Sequence, residues 1–94
     1  MKLRVPDEIA FLIKSLHPEL KRKVRASLHF IQNDPASGKA LRKELAGIRS
    51  YRVGKFRIIY RIHREVLEIA AVGPRVSIYE ETYLLLKKEQ RVDP

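Results

Sequence analysis

Apolar and cationic residues alternate with a strict period of two between residues 55 and 63. Because successive side chains of a β-strand point to opposite faces of a sheet, this alternation predicts a strand with one face on a core and the other face cationic. Ile59 is the one apolar residue on the cationic face, so we expect only a small apolar spot there. The apolar set consists of Phe56, Ile58, Tyr60 and Ile62, and the cationic set of Lys55, Arg57, Arg61 and His63.

Two segments near the N-terminus carry apolar residues at helical spacing. Pro6 suits the first turn of the first helix, and Pro18 ends that helix and opens the second, because the residue before a proline avoids helical dihedral angles. Asn33-Asp34-Pro35 ends the second helix in a turn. The two helices form a hairpin whose apolar face must pack on another element, and His29 beside that face is expected to be packed. The apolar residues are Ile9, Leu12, Ile13 and Leu16 in the first helix and Leu20, Val24, Leu28 and Ile31 in the second.

The remaining elements are an N-terminal edge strand, two further strands and one C-terminal helix. Val66 to Val72 is an almost continuous apolar run, typical of a strand covered on most of both faces, and Gly73-Pro74 ends it. The order β-α-α-β-β-β-α predicts one α+β domain over residues 1–94, an antiparallel β-sheet packed by the N-terminal helical hairpin. The other strands are Lys2 to Val5, Ile48 to Val53 and Lys55 to His63; the last helix spans Ile78 to about Lys88, with Tyr79, Tyr83 and Leu86 at helical spacing, and residues 89–94 are expected to fray.

The composition is strongly basic, with 20 Lys and Arg residues against 11 Asp and Glu residues and a net charge of +9. A charge of this size indicates a polyanionic partner, such as nucleic acid, an anionic membrane or an acidic protein. The chain has no cysteine, and its three histidines lack the spacing of a helical zinc pair, so neither a disulfide, a metal site nor a cofactor is expected. No apolar run approaches the length of a membrane span, and no signal-peptide core is visible, which predicts a cytoplasmic protein without a membrane partner.

The candidate functional residues are cations on three consecutive elements of the predicted meander. Since these elements are neighbours, the side chains are expected to converge on the open face of the sheet, where arginines could clamp a phosphate. The structural alternative is that the strand cations only keep the sheet soluble and that the tyrosine packs as a core residue. A histidine on the same face could act as a general base, although an exposed imidazole beside a turn is also ordinary. The residues are Arg52, Lys55, Arg57, Arg61, His63, Arg75 and Tyr79.

The central segment resembles the RelE/ParE superfamily of toxins from type II toxin–antitoxin systems. The resemblance is carried by Leu45-Ala-Gly-Ile-Arg-Ser-Tyr-Arg-Val-Gly-Lys-Phe-Arg-Ile-Ile-Tyr-Arg-Ile, followed by Val72-Gly-Pro-Arg and Ile78-Tyr79. It covers nearly the whole chain and implies the fold described above. The motif is specific for the superfamily but much less so for the activity, because RelE-like members cut mRNA in the ribosomal A site, whereas ParE-like members poison DNA gyrase without cleaving RNA.

The RelE-like interpretation implies site residues by position in the motif. Arg57 corresponds to the strand arginine, Arg75 to the arginine after the last strand and Tyr79 to the C-terminal tyrosine, while Arg52 occupies a basic position that is often lysine. The hairpin loop here is short, so Lys55 only loosely replaces a second lysine of the family and is the candidate general base. The implied reaction needs no metal: a ribose 2′-hydroxyl attacks the adjacent phosphorus, with Arg57 and Arg75 stabilising the charge.

Two other interpretations remain open from the sequence. In the ParE-like alternative, the basic surface binds gyrase or another macromolecule and carries out no chemistry. In the other, the protein is inert by itself and binds only its antitoxin. All three interpretations share one expected partner, an acidic and amphipathic antitoxin segment that folds on binding to the +9 chain.

Overall fold

The computed structural model describes the backbone of residues 1–91 and the side chains of residues 1–88. The predicted order of helices and strands is confirmed, with one short additional strand between the helical hairpin and the meander. The elements are β1 (Lys2–Arg4), α1 (Asp7–Lys14), α2 (Pro18–Asn33), β2 (Lys39–Ala40), β3 (Arg49–Val53), β4 (Phe56–His63), β5 (Val66–Pro74) and α3 (Arg75–Arg91). Between β2 and β3, Lys43–Leu45 forms a single 3₁₀ turn.

The five strands form one sheet in the order β1-β5-β4-β3-β2. Strands β2 to β5 are antiparallel, as predicted, whereas the edge strand β1 pairs parallel to β5, so the sheet is mixed. Gly73-Pro74 does not end β5, because Pro74 still pairs with Phe56 at the rim of the sheet, where a missing N–H is tolerated. The last helix therefore begins at Arg75, three residues earlier than predicted, and it continues to Arg91. Of the segment expected to fray, residues 92–94 lie outside the described part.

The helical hairpin covers one face of the sheet and forms the larger core. The predicted stripe of α2 is confirmed, since Val24, Leu28 and Ile31 are buried. From β4, Ile58 and Tyr60 enter this core with no exposed surface, as the alternation predicts. Ile62 continues the alternation but remains 41% exposed, so the core ends before the turn between β4 and β5.

The cationic face of β4 is not open, which corrects the prediction. Helix α3 lies across it, and Ile59 is fully buried in a second core. The helix turns Ile78 and Thr82 inward. Of the predicted stripe, Tyr79 and Leu86 pack against this core, whereas Tyr83 is 37% exposed, contrary to the prediction. The other buried members of this second core are Ile48, Ala71 and Ile78.

The linker after α2 is held by the ring of Tyr60. The Gly38 N–H donates to the Tyr60 hydroxyl over 2.9 Å, and that hydroxyl donates to the Pro35 carbonyl over 2.8 Å. A Cβ at Gly38 would lie 2.8 Å from a ring carbon of Tyr60, so only glycine fits at this approach. Elsewhere on the hairpin, His29 is exposed, contrary to the prediction, because the stripe of α2 turns it away from the sheet.

Candidate functional site

Four of the predicted cations line one cleft at the turn between β3 and β4. Its volume is about 500 Å³, within the usual range for sites that bind small ligands. Among the described residues no carboxylate belongs to the lining of this cleft, so its four lining cations have no counter-charge within the lining itself. We call it the hairpin cleft; its lining residues are Arg52, Gly54, Lys55, Arg57, Arg75 and Val76.

The register of the strands explains why these residues meet. Arg52 pairs with Arg57 across β3 and β4, and residues paired in this way lie on the same face of a sheet. The Arg52 Nε donates to the Gly54 carbonyl over 3.2 Å, which lays its side chain back along the turn. The Arg75 backbone N–H donates to the Lys55 carbonyl over 3.0 Å, which ties the start of α3 to the same turn.

Arg57 occupies the innermost position of the hairpin cleft. It is half-buried, and its Nε is buried without a hydrogen-bond partner among the described residues. Gly73, its partner on β5, has no side chain, and the Glu81 carboxylate lies 4.0 Å from the position that a Cβ would take there without bonding to the Arg57 Nε. Because a buried donor without an acceptor costs free energy, this position suits an anionic ligand that would supply one.

Tyr79 does not line the hairpin cleft. It is half-buried on the first turns of α3, and its hydroxyl lies 3.0 Å from the hydroxyl of the buried Ser50. This hydrogen bond fastens α3 to β3 beside the second core. Ser50 was not among the predicted site residues, and its contact with Tyr79 had one signal in the sequence, its position directly before the Tyr-Arg-Val-Gly motif.

Arg61 and His63 lie at the opposite end of β4, apart from the other candidates. The Arg61 Nε donates to the Glu68 carboxylate over 2.8 Å, and the same carboxylate is 3.3 Å from the Arg4 guanidinium. Both Arg61 and His63 line a second cleft of about 560 Å³. The expected convergence of all the cations on one open face is therefore wrong, because α3 divides that face between the two clefts.

The described residues show neither of two other features. The side chains of residues 1–88 contain no group of three or more His, Cys, Asp and Glu placed to hold a metal ion. Within the described residues, no helix combines the length and the hydropathy that crossing a membrane requires.

A family model described as "ParE toxin of type II toxin-antitoxin system, parDE" matches residues 4–79. Comparison of the sequence with curated proteins gave no significant match.

Several solved toxin structures share the fold. The toxin–antitoxin complex RelBE2 of Mycobacterium tuberculosis is 31% identical, with a TM-score of 0.69 over 79% of this chain and 96% of that chain. The isolated E. coli RelE toxin is 15% identical, with a TM-score of 0.67 over 90% and 97% of the two chains. The YoeB–YefM complex of Staphylococcus aureus is 20% identical, with a TM-score of 0.63 over 78% and 94%. With the family match, these relatives show that the chain belongs to the RelE/ParE superfamily, as a toxin of a type II toxin–antitoxin system.

Proposed function

We propose that the protein is an endoribonuclease toxin that cleaves mRNA on the ribosome and thereby inhibits translation. The observation that carries the proposal is the hairpin cleft, in which four cations meet without a lining carboxylate. The unpaired Nε of Arg57 gives this cleft a donor that a phosphate oxygen would satisfy. The start of α3 at Arg75 adds the positive end of a helix dipole, which also favours an anion.

The reaction class that fits these groups is transfer of a phosphodiester to the neighbouring ribose hydroxyl. A base removes the proton of the 2′-hydroxyl, whose oxygen forms a bond to the adjacent phosphorus while the bond from phosphorus to the 5′-oxygen breaks. The leaving oxygen takes up a proton, and the products are a 2′,3′-cyclic phosphate and a 5′-hydroxyl. Arg57 and Arg75 hold the non-bridging oxygens and stabilise the charge that develops on them.

We assign the general base to Lys55. Guanidinium groups remain charged under all ordinary conditions, so the three arginines of the cleft cannot accept the proton. Lys55 is the one lining cation that is not an arginine, and it lies on the exposed two-residue turn between β3 and β4, two residues before Arg57. Arg52, beside it, is placed to bind the substrate phosphate.

Tyr79 takes part only if α3 moves. In the structure its hydroxyl is bound to Ser50, outside the hairpin cleft. A shift of the first turns of α3 would release the hydroxyl, which could then orient the phosphate or protonate the leaving oxygen, while the ring could stack on a base. The role of Tyr79 in cleavage thus depends on breaking one hydrogen bond.

The second candidate function is binding to DNA gyrase without chemistry. Two observations favour it: the family model that matches residues 4–79 carries the ParE name, and α3 covers the centre of the sheet face that would hold RNA. In this alternative the hairpin cleft and the exposed cations contact a protein surface. The similarity to RelE and YoeB toxins, together with the unpaired donor of Arg57 among the described residues, leads us to prefer the ribonuclease.

Induced expression in bacteria distinguishes the two functions. A ribonuclease produces mRNA fragments with new 5′ ends within minutes, while the DNA-damage response stays at its basal level. Gyrase poisoning gives the reverse, a strong damage response with intact transcripts. Growth arrest with neither signal would contradict both proposals, and normal growth would favour the inert member that binds only an antitoxin.

A further inference from the structure

We propose that the second cleft, at the far end of β4, binds the phosphodiester backbone of the same RNA strand to one side of the cleaved bond. This inference rests on the proposed ribonuclease function and extends its substrate site beyond the hairpin cleft. We call the second cleft the turn cleft, because it surrounds the turn between β4 and β5. Its lining residues are Arg4, Gly47, Arg61, Ile62, His63, Arg64, Val66 and Glu68.

The turn cleft keeps a positive charge although it contains a carboxylate. Three arginines and one glutamate line it, which leaves a net charge of +2 with a neutral histidine. Glu68 lies between Arg4 and Arg61 in register across β1, β5 and β4, with contacts of 3.3 Å and 2.8 Å to the two guanidinium groups. One carboxylate therefore orients two arginines without neutralising them, and Arg64 has no ion pair among the described residues.

The turn between β4 and β5 has a backbone conformation that its two central residues disfavour. Arg64 and Glu65 are the two central residues of a two-residue hairpin, and both have positive φ angles, 50° and 64°. Hairpins of this kind strongly favour Asn-Gly or Asp-Gly, because glycine and asparagine adopt positive φ at lower cost than other residues. What sets Arg64 apart is its place in the cleft lining, where it adds a third guanidinium group to those of Arg4 and Arg61.

The two clefts are placed so that one strand can reach both. Arg57 and Arg61 are four residues apart on β4, a separation of about 13 Å at the usual rise of a strand. Helix α3 covers Ile59 between them, so an RNA strand cannot run straight along β4 from one cleft to the other. At the β2 edge, the exposed Lys39 pairs with Ser50, which is in register with Ile59, so it places a further cation level with the middle of β4.

The test is fluorescence anisotropy with 2′-O-methyl RNA, which the toxin cannot cleave because the attacking hydroxyl is blocked. A 4-mer fits the hairpin cleft alone, whereas a 12-mer spans both clefts; single-strand-binding domains cover roughly 4–16 nucleotides. Arg64→Gln is expected to weaken 12-mer binding several-fold and leave the 4-mer unchanged. For the 12-mer, the slope of the logarithm of the binding constant against the logarithm of the salt concentration should also become shallower by about 0.7. This is the value for one lost phosphate contact to a single strand.

Lys43→Gln is the matched control. Lys43 is exposed, also has a positive φ (57°), and lines neither cleft, so it tests for loss of charge alone. Equal effects of the two variants on binding of the 12-mer, or no effect of Arg64→Gln, would overturn the proposal that the turn cleft binds RNA. Arg57→Ala separates this inference from the proposed function. If RNA binding needs Arg57 but not Arg64, only the proposal for the turn cleft is overturned. If RNA binding needs neither residue, or if the protein binds no RNA, the result counts against both the turn cleft and the ribonuclease function.

Discussion

The hydroxyl of Tyr79 lies 3.0 Å from the hydroxyl of Ser50, so the tyrosine expected to touch the substrate is bound to the sheet instead. Ser50 is buried on β3, and Tyr79 is half-buried on α3. The same contact thus helps to hold α3 over the second core and keeps the Tyr79 hydroxyl away from the hairpin cleft.

Replacing either partner of this hydrogen bond tests what Tyr79 does. Ser50→Ala and Tyr79→Phe each remove the bond, which should lower the free energy of unfolding by about 0.5–1.5 kcal/mol in thermal or urea melts. If the hydroxyl serves in cleavage, Ser50→Ala retains the toxicity because the hydroxyl is released, whereas Tyr79→Phe lowers it. Equal toxicity of the two variants in a growth assay would show that the hydroxyl only anchors α3.

Both faces of β4 should be intolerant of charge. Ile58→Asp and Ile59→Asp each place a carboxylate in a fully buried position on opposite faces, and each should cost about 4 kcal/mol or more. The control is Ile62→Asp, which introduces the same charge on the same strand at a residue 41% exposed and should cost far less. Circular dichroism melts of the three variants measure this. An Ile59→Asp variant as stable as Ile62→Asp would contradict the second core.

The sequence predicts those parts of the fold in which a single helix or strand carries a complete apolar pattern. The stripe of α2 and the alternation of β4 both predict the larger core correctly, because a long run of residues faces one apolar surface. The second core was not predictable from β4, since Ile59 alone represents it there. Its other residues come from distant segments, and the mixed stripe of α3, which contains Thr82, gives no clear apolar face.

The sequence predicts which types of residue form the candidate site, but not that these residues are divided between two clefts. The motif predicts the cations, and adjacency in a meander brings Arg57 and Arg75 to the same cleft. Two tertiary facts that no local pattern encodes decide the rest. Helix α3 crosses the cationic face, and Glu68 on the neighbouring strand binds the side chain of Arg61 in the second cleft.

The ring of Tyr60 and the glycine that contacts it should behave as a coupled pair. Tyr60→Phe leaves the Gly38 N–H and the Pro35 carbonyl without their partner, at a cost of about 1–3 kcal/mol. Gly38→Ala forces a methyl group onto the ring and should cost a similar amount. Because both changes disturb one contact, the double variant should be at least about 0.5 kcal/mol more stable than additivity predicts.

Urea unfolding of the single and double variants measures this coupling. Tyr51→Phe is the control, because its half-buried hydroxyl makes no hydrogen bond within the described residues and its loss should change stability by less than about 0.5 kcal/mol. Strict additivity of the Gly38 and Tyr60 changes would argue against the contact.

The antitoxin should be recognised largely through charge. The solved relatives include toxin–antitoxin complexes, and the net charge of +9 favours an acidic, amphipathic segment that folds on binding. Co-purification with the product of the adjacent gene, followed by a salt titration of the affinity, tests this. Binding should weaken steeply as salt increases; a neutral or basic partner whose affinity is insensitive to salt would contradict the prediction.

The ribonuclease proposal depends on Arg57 and Arg75 acting on a phosphate. Each Arg→Ala variant removes one electrostatic donor, typically worth about 3–4 kcal/mol, so the cleavage rate should fall about a hundredfold or more. Both should remain folded, because Arg75 is exposed and the Arg57 Nε has no partner to lose. Arg22→Ala, at an exposed position on α2, controls for loss of a positive charge.

The most direct measurement is mRNA cleavage by these variants in a purified translation system, with mapping of the 5′ ends of the fragments. The account predicts discrete fragments with 5′-hydroxyl ends from the unaltered toxin and from Arg22→Ala, and almost none from Arg57→Ala or Arg75→Ala. Intact mRNA with the unaltered toxin, together with full toxicity in cells of the Arg57/Arg75 double variant, would contradict the ribonuclease proposal and favour binding to gyrase.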